Sequence, residues 1–481
     1  MSREGSLDVI FNPTSVAIAG VASGGIGQAF LDCLLDSGFK GNIYPLNPKG
    51  GEIRGLTVYP SLRDVPRPVD YVISCIPARS AIQLIKDSAA AGAKAIAFFT
   101  AGFSEMGSEE GRVLEGEMVH VARALGVRII GPNCLGVYRP ELGLSFASDF
   151  PGEGGRVAFI CQSGGNAIYL IRSAARRGIR FSKAVSYGNA CDIDESELLE
   201  YLAEDAETEV VAAYIEGVKD GRRFHSALRK VSAAKPVIIL KAGGTDAGAR
   251  AAASHTGTLA GSDDIWTRAL EQAGAIRVHD LEEVVDMLIA FCYLPRFEGR
   301  RVGVCGAGGG HNVLTTDQFG AAGFVLPPLP QYVQDEIRQA IRKVLKSEAG
   351  FMLDNPVDVT NMPTSEGLYD ILKKLATYDG IDLLVGQFSV NNSGWPYQSS
   401  GYSSWPEAFT GAAARVRSET NKPLAMVIHA VISSWDLDKA LGLERQCSEA
   451  GLPMFRSAAR AAKAIDRFLR YHKNHPVSAS R

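Results

Sequence analysis

Three short apolar segments of this chain each run directly into a glycine-rich turn, and this pattern constrains the fold more than any other feature. The segments are SVAIAG (15–20), RVAFICQSGG (156–165) and RVGVCGAGGG (301–310). In α/β proteins a buried strand often ends in such a loop, and the free backbone N–H groups of the next helix attract phosphate. The pattern therefore predicts an α/β protein with phosphate-holding loops.

Further strand-like runs, separated by helical stretches, follow each of these openings. Short apolar strands that alternate with helices predict parallel sheets covered on both faces. Helices are predicted at 29–37, 80–91, 109–125 and 280–291. The predicted strands are NIYPLN (42–47), DYVISCIP (70–77), AIAFFT (95–100), VRIIGP (127–132), FSKAVSYG (181–188), VVAAYIEG (210–217), PVIILKAG (236–243), DLLVGQF (382–388) and PLAMVIH (423–429).

A length of 481 residues is too great for one hydrophobic core. The Pro- and Gly-containing segment YLPRFEGR (293–300) is the best candidate boundary. Because the openings at 156 and 301 resemble each other, we expect two related flavodoxin-like domains after a Rossmann-like one. The predicted domains cover 1–145, 146–295 and 296–481.

Composition excludes several classes of partner. The formal net charge of −3 gives no electrostatic reason to expect nucleic acid or an anionic membrane surface. No apolar run approaches the ~20 residues that span a bilayer, and the N-terminus has no apolar signal core. The eight cysteines are scattered without a C-x-x-C pair, so we expect reduced thiols in a cytoplasmic protein and no metal site.

The first glycine loop, Gly20 to Gly27, predicts a phosphate site at a helix N-terminus. Its spacing is not a clean G-x-G-x-x-G, and a tight turn without a ligand is the alternative. The second strand ends in Asn47-Pro48-Lys49, without the acidic residue that grips a ribose in NAD-binding proteins. A cation there favours coenzyme A (CoA) or NADP over NAD.

The segment SHTGTLAGS places His255 among small residues. Small neighbours leave space for a tetrahedral group on the imidazole and permit close backbone approach. The preceding stretch, KAGGTDAGARAAAS, is too polar and too rich in glycine for core packing and predicts a ligand-facing loop. From the residues alone, a functional and a structural role for His255 are equally supported.

Six further motifs accompany this segment: TAGFSE (100–105), GPNCLG (131–136), QSGG (162–165), YIEGVKDG (214–221), KAGG (241–244) and NPVD (355–358). In these motifs and in their order, the chain from about 7 to 469 resembles the NDP-forming (ADP-forming) acyl-CoA synthetases, relatives of succinyl-CoA synthetase. The resemblance implies that the first domain binds CoA and that the other two are ligase domains. It also implies that His255 is transiently phosphorylated, with Glu216 accepting a hydrogen bond from its ring.

The resemblance also assigns two sets of binding residues. His311, which directly follows the glycines of the phosphoryl-binding set given below, is interpreted as structural. Residues 389–409 have no family counterpart. The CoA set is Ser23, Gly24, Gly25, Ile26, Gly27, Lys49, Pro77 and Asn133, with Lys49 facing a CoA phosphate. The phosphoryl-binding set is Ser163, Gly164, Gly165, Gly308, Gly309 and Gly310, at two helix starts.

The resemblance implies that a carboxylic acid, CoA and ATP give acyl-CoA, ADP and phosphate through an acyl phosphate. No P-loop is present, and no segment remains for an ATP-grasp domain. We therefore expect ATP, ADP and Mg²⁺ to bind a separate ATP-grasp (beta) subunit. A CoA-binding protein without ligase activity and an NADP-binding oxidoreductase are the alternatives, but the second gives the His255 segment no role.

Overall fold

The structure is a computed structural model that describes residues 7–256, 262–306, 308–390, 405–429 and 434–476. The described chain forms two compact units. The first comprises the residues up to Ala175 together with Arg180–Val284, and the second comprises Arg176–Ile179 and the residues from Val285 onward.

The first unit begins with a five-stranded parallel sheet in the order β2-β1-β5-β6-β7. An antiparallel hairpin, β3–β4, follows the second strand. The elements are α1 (Asp8–Phe11), β1 (Ser15–Ala19), α2 (Ile26–Asp36), β2 (Asn42–Leu46), β3 (Gly51–Ile53), β4 (Leu56–Val58), η1 (Leu62–Asp64), β5 (Tyr71–Ser74), η2 (Ala78–Ser80), α3 (Ala81–Ala90), β6 (Ala95–Phe98), η3 (Ser104–Met106), α4 (Glu109–Ala124) and β7 (Arg128–Ile130).

The second sheet, in the same unit, has the order β13-β12-β11-β9-β10-β8. Its strands are parallel except β8, which pairs antiparallel with β10 at the edge. The elements are β8 (Gly136–Tyr138), η4 (Pro140–Leu142), β9 (Val157–Cys161), α5 (Gly164–Arg176), β10 (Phe181–Ser186), α6 (Glu195–Glu204), β11 (Val210–Ile215), α7 (Gly221–Ala234), β12 (Val237–Lys241), α8 (Asp246–Thr256), α9 (Asp263–Gln272), β13 (Ile276–Val278) and α10 (Leu281–Tyr293).

The second unit contains a third parallel sheet in the order β15-β14-β16-β17-β18. Its main core packs strand residues such as Leu384 and Met426 against helix residues such as Ile371 and Phe409. The elements are β14 (Val302–Gly306), α11 (Gly309–Ala321), α12 (Gln331–Val344), β15 (Val357–Asp358), α13 (Ser365–Thr377), β16 (Leu383–Ser389), α14 (Trp405–Glu419), β17 (Leu424–His429), α15 (Ser434–Glu449), β18 (Met454–Phe455) and α16 (Ala458–Asn474).

All three sheets repeat one topology. Counting the parallel strands of each sheet along the chain, the spatial order is 2-1-3-4-5 every time. Every residue of the opening strands β1, β9 and β14 is buried, as expected where helices cover both faces of a parallel sheet. In this topology ligands bind beyond the carboxyl ends of strands 1 and 3, at the topological switch point.

The predicted α/β architecture is confirmed, and each predicted strand is present. The sequence missed the short strands, which have two or three residues each and cannot show a period. These are β3, β4, β8, β13, β15 and β18. The helix predicted from residue 29 begins earlier, at Ile26, directly after the glycine loop. No helix among the described residues has the length and apolar character needed to cross a membrane.

Candidate functional site

The switch point of the second sheet holds two of the motifs singled out in the sequence. Strands β9 and β11 are parallel neighbours, with Cys161 opposite Tyr214. The chain therefore leaves β9 at Gln162-Ser163 and leaves β11 at Glu216-Gly217 on the same edge of the sheet. Gly164 then begins α5, and its free N–H groups face this edge.

Gln162 is the residue that fixes this edge. It is buried, with 3% of its surface exposed, and its amide oxygen accepts hydrogen bonds from the N–H groups of Glu216 and of Gly217, the latter at 3.2 Å. Its amide nitrogen donates to the Gly217 carbonyl at 3.1 Å. This Gln162 bridge satisfies main-chain groups beyond the end of β11 and so determines where the Glu216 side chain starts.

Glu216 is itself buried, with 4% of its surface exposed. Burial raises the pKa of the neighbouring Tyr214, and the charge of the Glu216 carboxylate raises it further. A buried carboxylate with a fixed backbone is suited to orient an imidazole by accepting its N–H.

A cavity of about 380 Å³ opens beside the start of α5. Nothing lies within 4 Å of the position that a Cβ at Gly165 would occupy, so the backbone N–H groups there are accessible to a ligand. The structure thus brings the predicted phosphoryl residues of the second sheet together with Asn133, which was predicted for CoA. The lining residues are Phe99, Ala101, Asn133, Cys134, Leu135, Gln162, Ser163, Gly164, Gly165 and Ile168.

The remaining predicted CoA residues meet at the carboxyl edge of the first sheet. A Cβ at Gly27 would lie 2.4 Å from the carbonyl oxygen of Gly20, so the strand-to-helix turn requires glycine there. Asn47 joins the end of β2 to this loop by donating to the Val21 carbonyl at 2.9 Å, and it also accepts from the Lys49 N–H at 3.0 Å. Lys49 and Pro77 are exposed beside the loop.

This edge fits an anionic ligand such as the phosphates of CoA. Ser23, Gly24 and Ile26 are exposed, and the space around a Cβ at Gly24 is empty to 4 Å. The N–H groups at the start of α2 therefore face open space on the same edge as the exposed Lys49, and such a combination of backbone N–H groups and an ammonium holds phosphate.

Comparison with known proteins agrees with this geometry. Residues 14–140 match the family model described as a CoA binding domain, and residues 154–291 match the succinyl-CoA ligase like flavodoxin domain. The alpha subunit of acetate–CoA ligase (ADP-forming) I from Pyrococcus furiosus is 33% identical, over 97% of this chain and 98% of the relative. The chain belongs to the family of ADP-forming acyl-CoA synthetase alpha subunits.

Two further relatives extend the comparison. The alpha subunit of acetate–CoA ligase (ADP-forming) II from Pyrococcus furiosus is 36% identical, over 79% of this chain and 81% of the relative. The solved structure of the dinucleotide forming acetyl-coenzyme A synthetase 1 of Candidatus Korarchaeum cryptofilum, in complex with phosphate and ADP, has a TM-score of 0.81. It is 31% identical, and the match covers 98% of this chain and 97% of that chain.

In this alpha subunit the predicted nucleophile, His255, lies near the end of α8. Its side chain is outside the described part of the structure, so its contact with Glu216 stays a prediction. The helix itself contacts η3, which belongs to the TAGFSE motif after the first sheet.

The TAGFSE motif is held by a network that sequence reasoning missed. The Asn189 amide nitrogen donates to Glu105 at 2.5 Å and to Glu115 at 3.0 Å. Glu105 also accepts from the N–H groups of Gly102 and Phe103. Burial opposes the charge of Glu105, but the hydrogen bonds from Phe103 and Asn189 lower its pKa overall. The network fixes the surface against which α8 lies.

The third sheet of the alpha subunit has its own switch point, after β14 and β16. Gly308 precedes α11 with a φ of 99°, and its N–H donates to the Thr360 hydroxyl at 2.9 Å. His311 stacks on His429 with ring centroids 4.5 Å apart. Burial, with His311 nearby, lowers the pKa of His429 to about 4.

The predicted phosphoryl residues Gly308, Gly309 and Gly310 lie here, in the second unit, and their role toward His255 stays a prediction. The sequence interpretation of His311 as structural did not foresee its ring partner, because His311 lies in α11 whereas His429 is at the distant end of β17. Of the segment 389–409, residues 391–404 lie outside the described part of the chain.

Proposed function

We propose that this alpha subunit carries the CoA site and the phosphorylated histidine of an acyl-CoA synthetase that converts a carboxylic acid, CoA and ATP into acyl-CoA, ADP and phosphate. The observation that carries the proposal is the Gln162 bridge. Gln162 fixes the main chain of Glu216, and it also lines the cavity that contains Asn133 and the glycine start of α5.

Each proposed step assigns work to this chain's residues. His255 attacks the γ-phosphorus of ATP through one ring nitrogen while Glu216 accepts the N–H of the other, and ADP leaves. The phosphoryl group then passes to a carboxylate oxygen, which gives an acyl phosphate and restores the histidine. The N–H groups at Ser163, Gly164 and Gly165 stabilise the negative charge of the phosphoryl group during this transfer.

The thioester forms when the CoA sulfur attacks the carbonyl carbon of the acyl phosphate and phosphate leaves. The proposed CoA site is the edge of the first sheet with Ser23, Gly24, Gly25, Ile26, Gly27, Lys49 and Pro77, together with Asn133 at the cavity. It is supported by the exposed helix start and by the match to a CoA binding domain over 14–140.

The partner is proposed to be an ATP-grasp beta subunit that binds ATP, ADP and Mg²⁺. Two relatives that match most of this chain are themselves alpha subunits, and a similar solved structure is described in complex with phosphate and ADP. Relatives are named for acetate, 4-hydroxybutyrate and trans-ferulate, so a carboxylic acid is the proposed substrate class and acetate the first to test. None of the eight cysteines, all of which lie in the described part of the chain, forms a disulfide, and this supports a reducing, cytoplasmic location.

The deciding experiment is phosphoryl labelling. The chain is mixed with its cognate beta subunit and γ-³²P-ATP, and we expect an acid-labile, base-stable label that His255→Asn abolishes. The chain alone should bind CoA but form no acetyl-CoA from acetate, CoA and ATP. Equal labelling of His255→Asn would overturn the assignment of the nucleophile. CoA binding without any label in the wild-type complex would favour a CoA-binding protein without ligase activity.

A further inference from the structure

The two ends of the segment that carries His255 are held together by one group of residues. The segment leaves the second sheet at Lys241 and returns to described structure at the start of α9. We call the group at its base the Lys241 cluster. Its members are Lys241, Gly244, Asp263, Trp266 and Arg277.

Lys241 joins the start of the segment to its end. It is the last residue of β12 and only 5% exposed. Its ammonium donates to the Ala242 carbonyl and lies 5.0 Å from the centre of the Trp266 ring. Trp266 is in the first turns of α9 and packs on Phe224 with ring centroids 5.6 Å apart. A cation over an indole ring is attracted by the negative face of the ring, and more strongly where water is excluded.

A second contact closes the same base. Arg277 on β13 bonds the Asp263 carboxylate and donates to the Asp263 carbonyl at 3.1 Å. The outgoing chain runs against this pair, because a Cβ at Gly244 would lie 2.6 Å from the Asp263 carboxylate oxygen. The two end residues of the KAGG motif are therefore explained by packing: position 241 holds a buried cation, and position 244 has no room for a side chain.

The cluster also carries charge toward Glu216. In the register of β11 and β12, Lys241 lies opposite Ile215, the residue that precedes Glu216. The charged groups that face the ammonium are Arg277 on β13, Asp263 on α9 and Glu216 after β11. Burial, and then Arg277, lower the pKa of Lys241 to about 8, whereas Asp263 and Glu216 oppose the shift.

We propose that Lys241 is a positioning residue for phosphoryl transfer to and from His255: its ammonium fixes the base of the His255 segment against Trp266 and places a positive charge beside the Glu216 carboxylate. The inference rests on the proposed function. It adds a residue that touches neither phosphate nor substrate but sets the place and charge of the group that holds the imidazole.

The test compares three variants in the complex with the beta subunit, with the initial rate of γ-³²P-ATP labelling measured from pH 6.5 to 9.5. Lys241→Gln removes the charge, Lys241→Arg keeps it at every pH, and Lys235→Gln is the matched control. Lys235 is half-buried at the C-terminal cap of α7, just before the same strand begins, and it donates to the Leu202 carbonyl at 2.7 Å. CoA binding by each variant reports whether the first sheet remains folded.

The ammonium is the active form, so the wild-type rate should fall as pH rises through about 8. Lys241→Gln should be slower on the order of ten- to a hundredfold at pH 7 and lack this alkaline fall. Lys241→Arg should recover most of the rate and keep it to higher pH, and Lys235→Gln should match the wild type.

Two results would overturn the proposal. One is Lys241→Gln labelling at the wild-type rate. The other is an alkaline fall that is unchanged in Lys241→Arg; this second result decides the matter even if Lys241→Gln fails to fold. An unlabelled wild-type complex would instead count against the proposed function, so the two failures are distinguishable.

Discussion

The switch points of the second and third sheets are built alike but held differently. In both, glycines that follow the first strand begin a helix, and a buried glutamine lies at the carboxyl end of the sheet. Gln162 follows the first strand of its sheet and bonds the main chain of Glu216 and Gly217. Gln387 lies on the third strand of its sheet and bonds the side chains of its neighbours.

Those neighbours form a side-chain network in the third sheet. Gln387 accepts from the Thr315 hydroxyl and bonds His429 at 2.9 Å, and its amide nitrogen donates to Asn312. Bonds to the main chain fix the course of the backbone, whereas bonds among side chains fix only rotamers. The second switch point therefore has one arrangement, and the third can be repacked by changing its partners together.

Removing the Gln162 bridge should have the largest effect. Gln162→Leu leaves the N–H groups of Glu216 and Gly217 and the Gly217 carbonyl buried without partners, at a cost of about 3–5 kcal/mol in the free energy of unfolding. Labelling of His255 should fall at least a hundredfold because Glu216 loses its position. Urea unfolding and γ-³²P-ATP labelling measure the two effects.

The matched control for this prediction is Gln387→Leu in the third sheet. It should cost less, about 2–3 kcal/mol, because side chains there can rotate toward new partners. If Gln162→Leu and Gln387→Leu lost the same stability and the same labelling, the proposed difference between main-chain and side-chain hydrogen bonding would be wrong.

A second change should rescue the third sheet in part. Among the described residues, the buried Asn312 amide nitrogen has no hydrogen-bond partner. Asn312→Leu therefore removes this group together with the amide oxygen that loses its donor in Gln387→Leu. Adding it to Gln387→Leu should recover about 1 kcal/mol, measured as a double-mutant cycle in urea. Strict additivity of the two losses would show that the network is as fixed as the Gln162 bridge.

One buried group in each unit should contribute to stability with opposite pH dependence, although burial is the cause in both. Burial, with Asp194 alongside, raises the pKa of Glu195 in the first unit to about 7. Its contribution to stability is complete below pH ~4.5 and is lost as pH rises through about 7. His429 in the second unit has its pKa lowered to about 4, so its contribution is complete above pH ~6.5 and is lost as pH falls through about 4.

Glu195→Gln should therefore stabilise the first unit by about 2–3 kcal/mol at pH 8 and have little effect at pH 4.5. His429→Gln should stabilise the second unit by about 1–2 kcal/mol at pH 4 after allowance for solvent screening, with little effect at pH 7. Hydrogen exchange read separately for each unit measures both. The same pH slope in both units would contradict the assignment.

Alanine at the helix-start glycines should have the smallest effect on stability. Gly165 and Gly310 have empty space where a Cβ would lie, so Gly165→Ala and Gly310→Ala should change stability by at most about 1 kcal/mol, in the stabilising direction. If phosphate docks at both helix starts, labelling should still fall severalfold in both. Gly442→Ala, in α15 with equally open space, is the control. A fall in only one variant would assign the phosphoryl site to one switch point.

The elements of the fold were predictable because their signals are local. Continuous apolar runs such as 15–20 and 301–306 predict buried parallel strands, and the glycines that follow predict the helix starts. The site was predictable only as a set of motifs. Residue types in a fixed order indicate a family and its chemistry, but they do not show which side chains meet.

The partners inside the site were not predictable. Asn189 bonds Glu105 and Glu115, which lie 84 and 74 residues away along the chain. The sequence around Asn189 contains no motif that predicts these contacts. The role of Gln162 depends on β9 and β11 being neighbours, which follows from the strand order and not from the QSGG motif itself. The contact between Lys241 and Trp266 likewise requires both ends of the His255 segment in three dimensions.

Strand β8 has a consequence for anyone who divides this chain into pieces. The chain leaves the first sheet at Ile130 and joins the second sheet at Gly136, where β8 covers the edge of β10. The stretch 14–140 that matches the CoA binding domain therefore includes a strand of the next sheet. Expressed alone, that fragment would carry β8 with no sheet to join, while the remainder would expose the bare edge of β10. Both pieces invite intermolecular strand pairing and insolubility, so a fragment that keeps both sheets is the smaller risk.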